Sequence, residues 1–355
     1  MNPLRNAMNH IPFRSLHSLL AGLLLLAVAP SLRADIKVRL SVKFIHNNDA
    51  TGSPPAASNI GTQTGFAAEV VRGNAVLAAT GRGYTLEVVE YLPIQPPAPA
   101  NQPADYWFNL PARSNKQTIE NAALAATAVW RWHPSAINIY VNNSASGQCS
   151  FVGGGSSIAL GSTIGIGTVL HEIGHFFNLA HTHAGDYADQ PNPASGIFTA
   201  ADLHDGDGFA ETANDNPNIG NHDQLSGALF GHNYNAATAA EKATVDSAYE
   251  NVMSYHNENT LLSVQSDYST LFANNQRNGV CNGKTWFLAT DGSTLASGTG
   301  AALPLATISA GLSHVATPND ILLLRAGSYS APPGGTISTP CTLRATRGSV
   351  TIHTP

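Results

Sequence analysis

Four histidines and one glutamate lie within the thirteen residues HEIGHFFNLAHTH, from His171 to His183. His171 and His175 are four residues apart, so on a helix both imidazoles project from one face and can reach one metal ion. Glu172 lies beside them and can reach a water molecule bound to that ion. The HExxH spacing therefore indicates a zinc site, although it also occurs in helices whose histidines contact only solvent or backbone.

His181 extends this pattern to a third ligand. If the helix ends just after Phe177 and the chain turns back sharply, His181 approaches the same ion and a fourth position stays open for water. Three protein ligands with one open position are typical of catalytic zinc. A sharp helix end needs a residue in the left-handed conformation, which Asn adopts most readily after Gly. Asn178 is accordingly predicted as the bend residue.

The stretch HEIGHFFNLAH resembles the extended zinc motif HExxHxxGxxH of the metzincin metallopeptidases, with Asn178 in the position of the glycine. The resemblance implies a zinc cofactor and hydrolysis of peptide bonds by a zinc-activated water, with Glu172 as the general base. The implied zinc ligands are His171, His175 and His181.

A second stretch, NVMSYH, resembles the metzincin Met-turn. This resemblance implies that Met253 lies under the zinc ion as a hydrophobic floor, since the unbranched thioether side chain fills irregular apolar gaps. It also implies that Tyr255 lies near the metal, where its phenol would hydrogen-bond the developing oxyanion. The alternative is a buried methionine and tyrosine in an ordinary turn.

The segment HDGDGFAETANDNP resembles the GDGxxDTP-like loop of the pappalysin-like branch of the metzincins, with Glu211 in place of the usual aspartate. Asp205 and Asp207 flank glycines, as in oxygen-rich calcium loops, and a calcium site and a solvated turn are equal alternatives here. His183 and His204 suggest a second ligand set. A fourth histidine would close the open zinc position, however, so a loop or supporting role is favoured for His183.

Alternating strand and helix patterns must position these residues. The strand patterns are IKVRLSVKFIH, YTLEVVEYLPI, AINIYVNN and SSIALG, and helical patterns separate them. Ser114 and Thr163 are predicted N-caps, the latter for the histidine helix. A last helix, LLSVQSDYSTLFANNQRNG, closes this part near Gly279. The expected fold is α/β (α+β), a metzincin-like domain over residues 35–280 with a mixed sheet and an active-site helix.

The N-terminus predicts export from the cell. Arg5 and Arg14 precede an apolar run, LLAGLLLLAVA, and Ala34 follows at a plausible cleavage point, so residues 1–34 are predicted as a signal peptide. The run is too short to span a bilayer, so no membrane span is expected after cleavage. The expected location is secreted or extracellular, with cell-surface retention as an alternative.

Composition and charge limit the classes of partner that the chain is expected to bind. Only 11% of the residues are charged, against roughly 25% in an average soluble domain, which suits a secreted protein rich in strands and turns. The formal net charge of -6 is spread thinly, and the absence of a basic stripe argues against a nucleic-acid partner. A protein or peptide substrate is expected, and the sequence indicates no oligomeric state.

From Cys281 onward, short strands alternate with Gly and Pro turns after one small helix. This sequence pattern resembles the first coils of the right-handed parallel β-helix of pectate-lyase-like secreted proteins. Residues 281–355 are therefore expected to form a small, all-β, partial β-helix-like domain. Since a solenoid needs roughly three or more coils to bury its core, the alternatives are a longer natural chain or a small cap. Cys281 and Cys341 could form one disulfide, with Cys149 left over, but other pairings stay open.

Two functions follow from these patterns. The first is a secreted zinc-dependent metalloendopeptidase whose substrate pairs with the free edge of SSIALG. The alternative is a secreted binding or adhesion protein with a degenerate zinc domain and a carbohydrate-directed tail. The intact Glu172 favours the enzyme, because a purely structural zinc site has no use for an adjacent base.

Overall fold

The computed structural model describes residues 36–81, 83–145, 147–149, 157–177, 179–185, 187–208, 212–256, 279–299, 303–345 and 349–353. Four sequence-based predictions fall outside these ranges: the signal peptide, the bend residue Asn178, the loop residue Glu211, and the body of the last helix at 261–278. None of the described helices is long and apolar enough to cross a membrane.

Five strands form the main sheet in the order β2-β1-β3-β5-β4. They are β1 (Ile36–Ile45), β2 (Tyr84–Ile94), β3 (Ile137–Asn142), β4 (Gly147–Cys149) and β5 (Ser157–Gly161). Strands β2, β1, β3 and β5 pair in parallel, whereas β4 pairs with β5 in the antiparallel direction. The expectation of a mixed α/β fold is confirmed at this level.

The prediction that SSIALG forms a strand with a free edge is wrong. Strand β5 lies between β3 and β4, with Ala159 paired to Tyr140 on one side and to Gln148 on the other. Both sets of β5 backbone groups are therefore used within the sheet. A three-residue strand has too few residues to show an alternating pattern, so β4 could not be predicted from the sequence.

Seven helices are numbered among the described residues: α1 (Gln63–Ala79), α2 (Tyr106–Asn109), α3 (Ala112–Ala125), α4 (Thr168–Phe176), α5 (His222–Phe230), α6 (Ala239–Tyr249) and α7 (Ile308–Leu312). Helix α6 begins at a capping box in which Thr238 and Glu241 bond to each other's backbone N–H groups. Helix α5 lies in the stretch where the sequence showed little periodicity, and it was not predicted.

Both predicted N-caps are wrong. Helix α3 begins two residues before Ser114, after Pro111, and the Ala112 N–H donates to the Ser144 hydroxyl at 3.1 Å. Helix α4 begins five residues after Thr163, since Gly167 precedes it with φ +84°. In each case a distant residue accepts from the backbone at the start of the helix, so the local pattern could not indicate it.

Helices cover both faces of the main sheet. On one face, alternate β1 residues such as Val38, Leu40 and Val42 pack in a core cluster with residues of α1 and α4. On the other face, Tyr140 of β3 and Ala159 of β5 pack with α3. The histidine-bearing helix α4 is thus held against the sheet by a buried apolar face.

The C-terminal segment consists of parallel strand pairs in the part that the structure describes. Strands β6 (Thr285–Leu288), β7 (Ile321–Leu324) and β9 (Thr342–Ala345) form one sheet, while β8 (Gly327–Ser330) and β10 (Val350–His353) form another. The chain passes from the first sheet to the second twice, from β7 to β8 and from β9 to β10. The thiols of Cys281 and Cys341 are free.

The C-terminal segment shares a core with the N-terminal part. Phe287, Ile321 and Leu323 belong to the same apolar cluster as β1 and α4. The hydroxyls of Tyr84 and Thr285 form a hydrogen bond across the predicted boundary at residue 280. Residues 34–355 form one compact unit, so removing the C-terminal segment would expose buried apolar surface.

Candidate metal centre

The end of helix α4 reverses the chain toward its own histidines. The Leu179 N–H donates to the Gly174 carbonyl at 2.9 Å, and the Phe177 N–H donates to the Ile173 carbonyl at 3.2 Å. A hydrogen bond across six residues is how a helix end turns the chain back on itself. The helix ends at Phe176, with Phe177 as its cap, close to the predicted end. His181 follows this turn and lies against the helix.

The ring nitrogens of the three predicted zinc ligands converge on one point. The Nε2 atom of His181 lies 3.0 Å from Nε2 of His175 and 3.3 Å from Nε2 of His171. Two donors bound to zinc at about 2.0–2.1 Å lie roughly 3.3 Å apart in a tetrahedral site. The separations of the three histidines therefore match those of zinc ligands.

Backbone carbonyls fix the tautomers of two of these histidines. Nδ1 of His171 lies 2.7 Å from the Val252 carbonyl, and Nδ1 of His175 lies 2.8 Å from the Leu179 carbonyl. A carbonyl can only accept, so each Nδ1 carries the proton and each Nε2 presents a lone pair. Histidines that bind metals are oriented in this way by a partner for the second nitrogen.

Burial keeps the three imidazoles neutral. Burial first, and the neighbouring imidazoles second, lower the pKa of His171 to about 4, that of His175 to about 3 and that of His181 to about 2. Neutral imidazoles are the form that binds metal ions. The Nε2 lone pairs of His171 and His175 point to the same place as Nε2 of His181, where a cation could be bound by all three nitrogens. The residues present therefore fit a zinc ion.

Glu172 is buried between α4 and the outer strand of the sheet. Its side chain is 6% exposed, and a Cβ atom at Gly147 of β4 would lie 3.4 Å from its Oε1. Gly147 thus leaves room for the carboxylate beside β4. The glutamate that the motif assigns as general base lies next to the three histidines in sequence and faces the strand at the edge of the sheet.

Met253 packs directly against the histidine helix. Its side chain is 1% exposed, and a Cβ atom at Gly174 would overlap its sulfur and lie 3.2 Å from its Cε. The turn that carries it is fixed by the Asn251 side chain, whose Oδ1 accepts from the Met253 N–H at 2.9 Å. The Met253 carbonyl accepts from the Thr182 N–H at 3.3 Å. The turn therefore contacts both the helix and the segment next to His181.

Tyr255 and His183 pack against the ring of His181. The Tyr255 ring centroid is 4.6 Å from that of His181 and 4.4 Å from that of His183. His183 stacks on His181 at 4.9 Å, and its Nδ1 lies 2.9 Å from the Gly185 carbonyl. In the part of the chain that the structure describes, the group of converging donor atoms contains His171, His175 and His181 and does not include His183.

A buried polar network behind the site was not predicted from the sequence. Asp215 is fully buried, and its carboxylate bonds to His256 Nε2 at 2.9 Å and to the Thr182 hydroxyl at 2.8 Å. Burial would raise the pKa of Asp215, but the hydrogen bond and charge of His256 hold it below its ordinary value. Thr182 follows His181 and His256 follows Tyr255, so one carboxylate links both segments. Asp215 lies in an Asn-rich loop without periodicity, which offers no local signal.

The calcium site at Asp205 and Asp207 remains a prediction from the sequence. Asp205 is exposed, and its Oδ1 accepts from the Gly208 N–H at 2.7 Å. His204 pairs with Asp215 through backbone hydrogen bonds, and among the described residues it belongs to no group of three or more possible metal donors. Among the described residues, neither aspartate belongs to a group of three or more histidine, cysteine or carboxylate donors.

Comparisons with known proteins do not assign the chain to a family. No family model matches the sequence, and no curated protein matches it. One solved structure with a similar part is titled "Structure of a chaperone-substrate complex". The aligned part covers 43% of this chain and 25% of that one, at 13% identity and a TM-score of 0.27. A likeness this weak carries no argument about fold or function.

Proposed function

We propose that this chain is a secreted zinc-dependent metalloendopeptidase. The observation that carries the proposal is the convergence of three neutral Nε2 donors, 3.0 and 3.3 Å apart, beside a buried glutamate. His171, His175 and His181 would hold the ion and leave a position open for water or substrate. The secreted location rests on the predicted signal peptide.

The chain's own residues would supply proton transfer and orientation. When bound, zinc acts as a Lewis acid that polarises a peptide carbonyl and acidifies a water molecule. Glu172 would accept a proton from the attacking water on its carboxylate and pass it to the nitrogen of the leaving amine. The Tyr255 phenol, whose ring lies 4.6 Å from that of His181, would donate a hydrogen bond to the carbonyl oxygen as negative charge develops there.

Strand β4 replaces β5 as the proposed substrate-binding edge. It is the outermost strand on its side of the described sheet, and its Gly147 lies beside Glu172. An extended peptide that pairs with a sheet edge is aligned by backbone hydrogen bonds, whatever its side chains. Pairing with β4 would bring a scissile bond close to Glu172.

The test is cleavage of casein by zinc-loaded Glu172→Gln protein, with zinc content measured in the same preparation. The variant should keep one equivalent of zinc at the histidine site and lose hydrolysis by on the order of a hundredfold or more, because ligation stays while proton transfer is lost. The control is Glu87→Gln, since Glu87 pairs with Lys37 at the surface. Normal turnover in zinc-loaded Glu172→Gln protein contradicts the proposal. A wild-type chain that binds zinc without cleaving any peptide favours the binding or adhesion function instead.

A further inference from the structure

A second group of metal-binding side chains joins helices α5 and α6. His222 is the first residue of α5, while Asp246 and Glu250 come from the last turn and the C-cap of α6. One donor atom from each of the three lies within 4.8 Å of the others. We propose that His222, Asp246 and Glu250 bind a second zinc ion, which links the two helices.

The distances in this group suit a cation better than direct hydrogen bonds. His222 Nε2 lies 3.4 Å from Glu250 Oε1 and 3.9 Å from Asp246 Oδ1. The same Nε2 is inaccessible to solvent and makes no hydrogen bond. A buried polar nitrogen without a hydrogen bond costs free energy. Donors bound to one zinc ion lie roughly 3.3 Å apart, so an ion between these side chains would satisfy the nitrogen with small movements.

Neighbouring side chains hold the group in place. The Tyr234 hydroxyl donates to Asp246 Oδ1 at 2.7 Å. The His222 ring packs against the rings of Tyr249 and Tyr234, with centroids 4.2 and 4.8 Å away. Asp246 and Glu250 are four residues apart, so α6 presents both carboxylates on one face. Partners of this kind orient ligands before a metal binds.

The donor set selects the class of cation. Calcium and magnesium prefer sites made only of oxygen donors, whereas an imidazole suits zinc and its neighbours in the transition series. The two carboxylates carry two negative charges, which balance the charge of a divalent ion. Because neither this group nor the histidine site shares a residue with the other, the inference does not depend on the proposed peptidase activity.

The test is a zinc titration of the full chain after removal of metals by a chelator, with bound zinc measured by elemental analysis. The wild-type chain should bind two equivalents, while His175→Ala and His222→Ala should each bind one. Zinc should still raise the melting temperature of His175→Ala through the second site, and this rise should disappear when His222→Ala is added. The control is His232→Ala, because among the described residues His232 pairs with a single carboxylate, that of Glu241 at 3.5 Å.

Glu250→Gln is a second test that changes a half-buried side chain rather than the packed imidazole. It should weaken zinc binding at the second site by at least about tenfold, with circular dichroism showing a folded chain. Full zinc binding by both His222→Ala and Glu250→Gln would overturn the proposal. A His175→Ala chain that binds no zinc would also overturn it. So would a rise in melting temperature that requires His222 when calcium is added but not when zinc is added.

Discussion

The two histidine-containing groups differ in the charge of the donors around the metal position. The site of His171, His175 and His181 has three neutral imidazoles, so a zinc ion there would keep its full double charge. The group of His222, Asp246 and Glu250 contains two carboxylates, which would cancel that charge. Uncompensated charge strengthens a metal ion as a Lewis acid, whereas a structural link does not depend on it.

The two groups also differ in the burial of their side chains and in the hydrogen bonds that fix them. The imidazoles of His171 and His175 are buried and bound to backbone carbonyls. The side chains of the second group are about a quarter exposed. The first site has Glu172 beside it in sequence, whereas the second adjoins Tyr234 and Tyr249. We therefore propose that the first group supports catalysis and that the second stabilises helices α5 and α6.

The largest expected effect is on peptide cleavage, which should depend on the first group and not on the second. His175→Ala should lower casein cleavage by on the order of a thousandfold or more, because the ion that supplies the Lewis acid is lost. His222→Ala should leave cleavage per folded molecule within about twofold, because its group lies outside the proposed reaction. Rates are compared after correction for the folded fraction. An equal loss of rate in the two variants would break the comparison.

The next effect concerns the buried network that supports only the first site. Asp215→Asn should weaken zinc binding at the histidine site by about ten- to a hundredfold, because the carboxylate holds both Thr182 and His256. Competition with a zinc-binding dye measures the change. Asp291→Asn is the control, since that side chain is 75% exposed in the C-terminal segment. Unchanged affinity in Asp215→Asn would mean that His181 is positioned without the network.

A pH dependence should follow from the lowered pKa values of the first site. In the metal-free protein, His171 and His175 are neutral when folded down to pH about 4 and 3. In the unfolded chain they bind protons below about pH 6.5. The unfolded state therefore binds more protons, and the free energy of unfolding should fall as pH decreases from about 6.5 toward 4. Thermal melts of chelator-treated protein measure this, and a weaker dependence is expected in His171→Gln.

A smaller effect compares two helical glycines. Gly174→Ala should lower the free energy of unfolding by roughly 1–3 kcal/mol, because the added Cβ overlaps Met253. Gly227→Ala in α5 should raise it by about 0.5–1 kcal/mol, because its Cβ meets no atom within 4 Å and alanine favours the helix. Denaturant unfolding measures both. If Gly174→Ala is as stable as Gly227→Ala, Met253 does not pack against α4 as described.

Local spacing explains what the sequence could predict. The three histidines come from eleven consecutive residues, so a helix followed by a turn was sufficient to bring them together. The long strands β1 and β2 were predictable for the same reason, since alternation is a local pattern. The start of α4 was not, because the Gly167 N–H donates to Glu69 of α1, nearly a hundred positions earlier.

Long-range partners explain what the sequence could not predict. Asp215 joins Thr182 and His256 across segments that are distant in the chain. The short strand β4 covers the predicted free edge, and no periodicity shows in three residues. His222 gains its two carboxylates from a different helix. Each of these contacts depends on the folded arrangement of elements rather than on spacing within one of them.

X-ray absorption at the zinc edge of the His222→Ala chain, loaded with one equivalent of zinc, tests the central claim most directly. This variant leaves the site of His171, His175 and His181 as the place for the ion. The account predicts three imidazole nitrogens at about 2.0–2.1 Å and one further light atom. A spectrum with one imidazole or none, or a chain that retains no zinc, would contradict it.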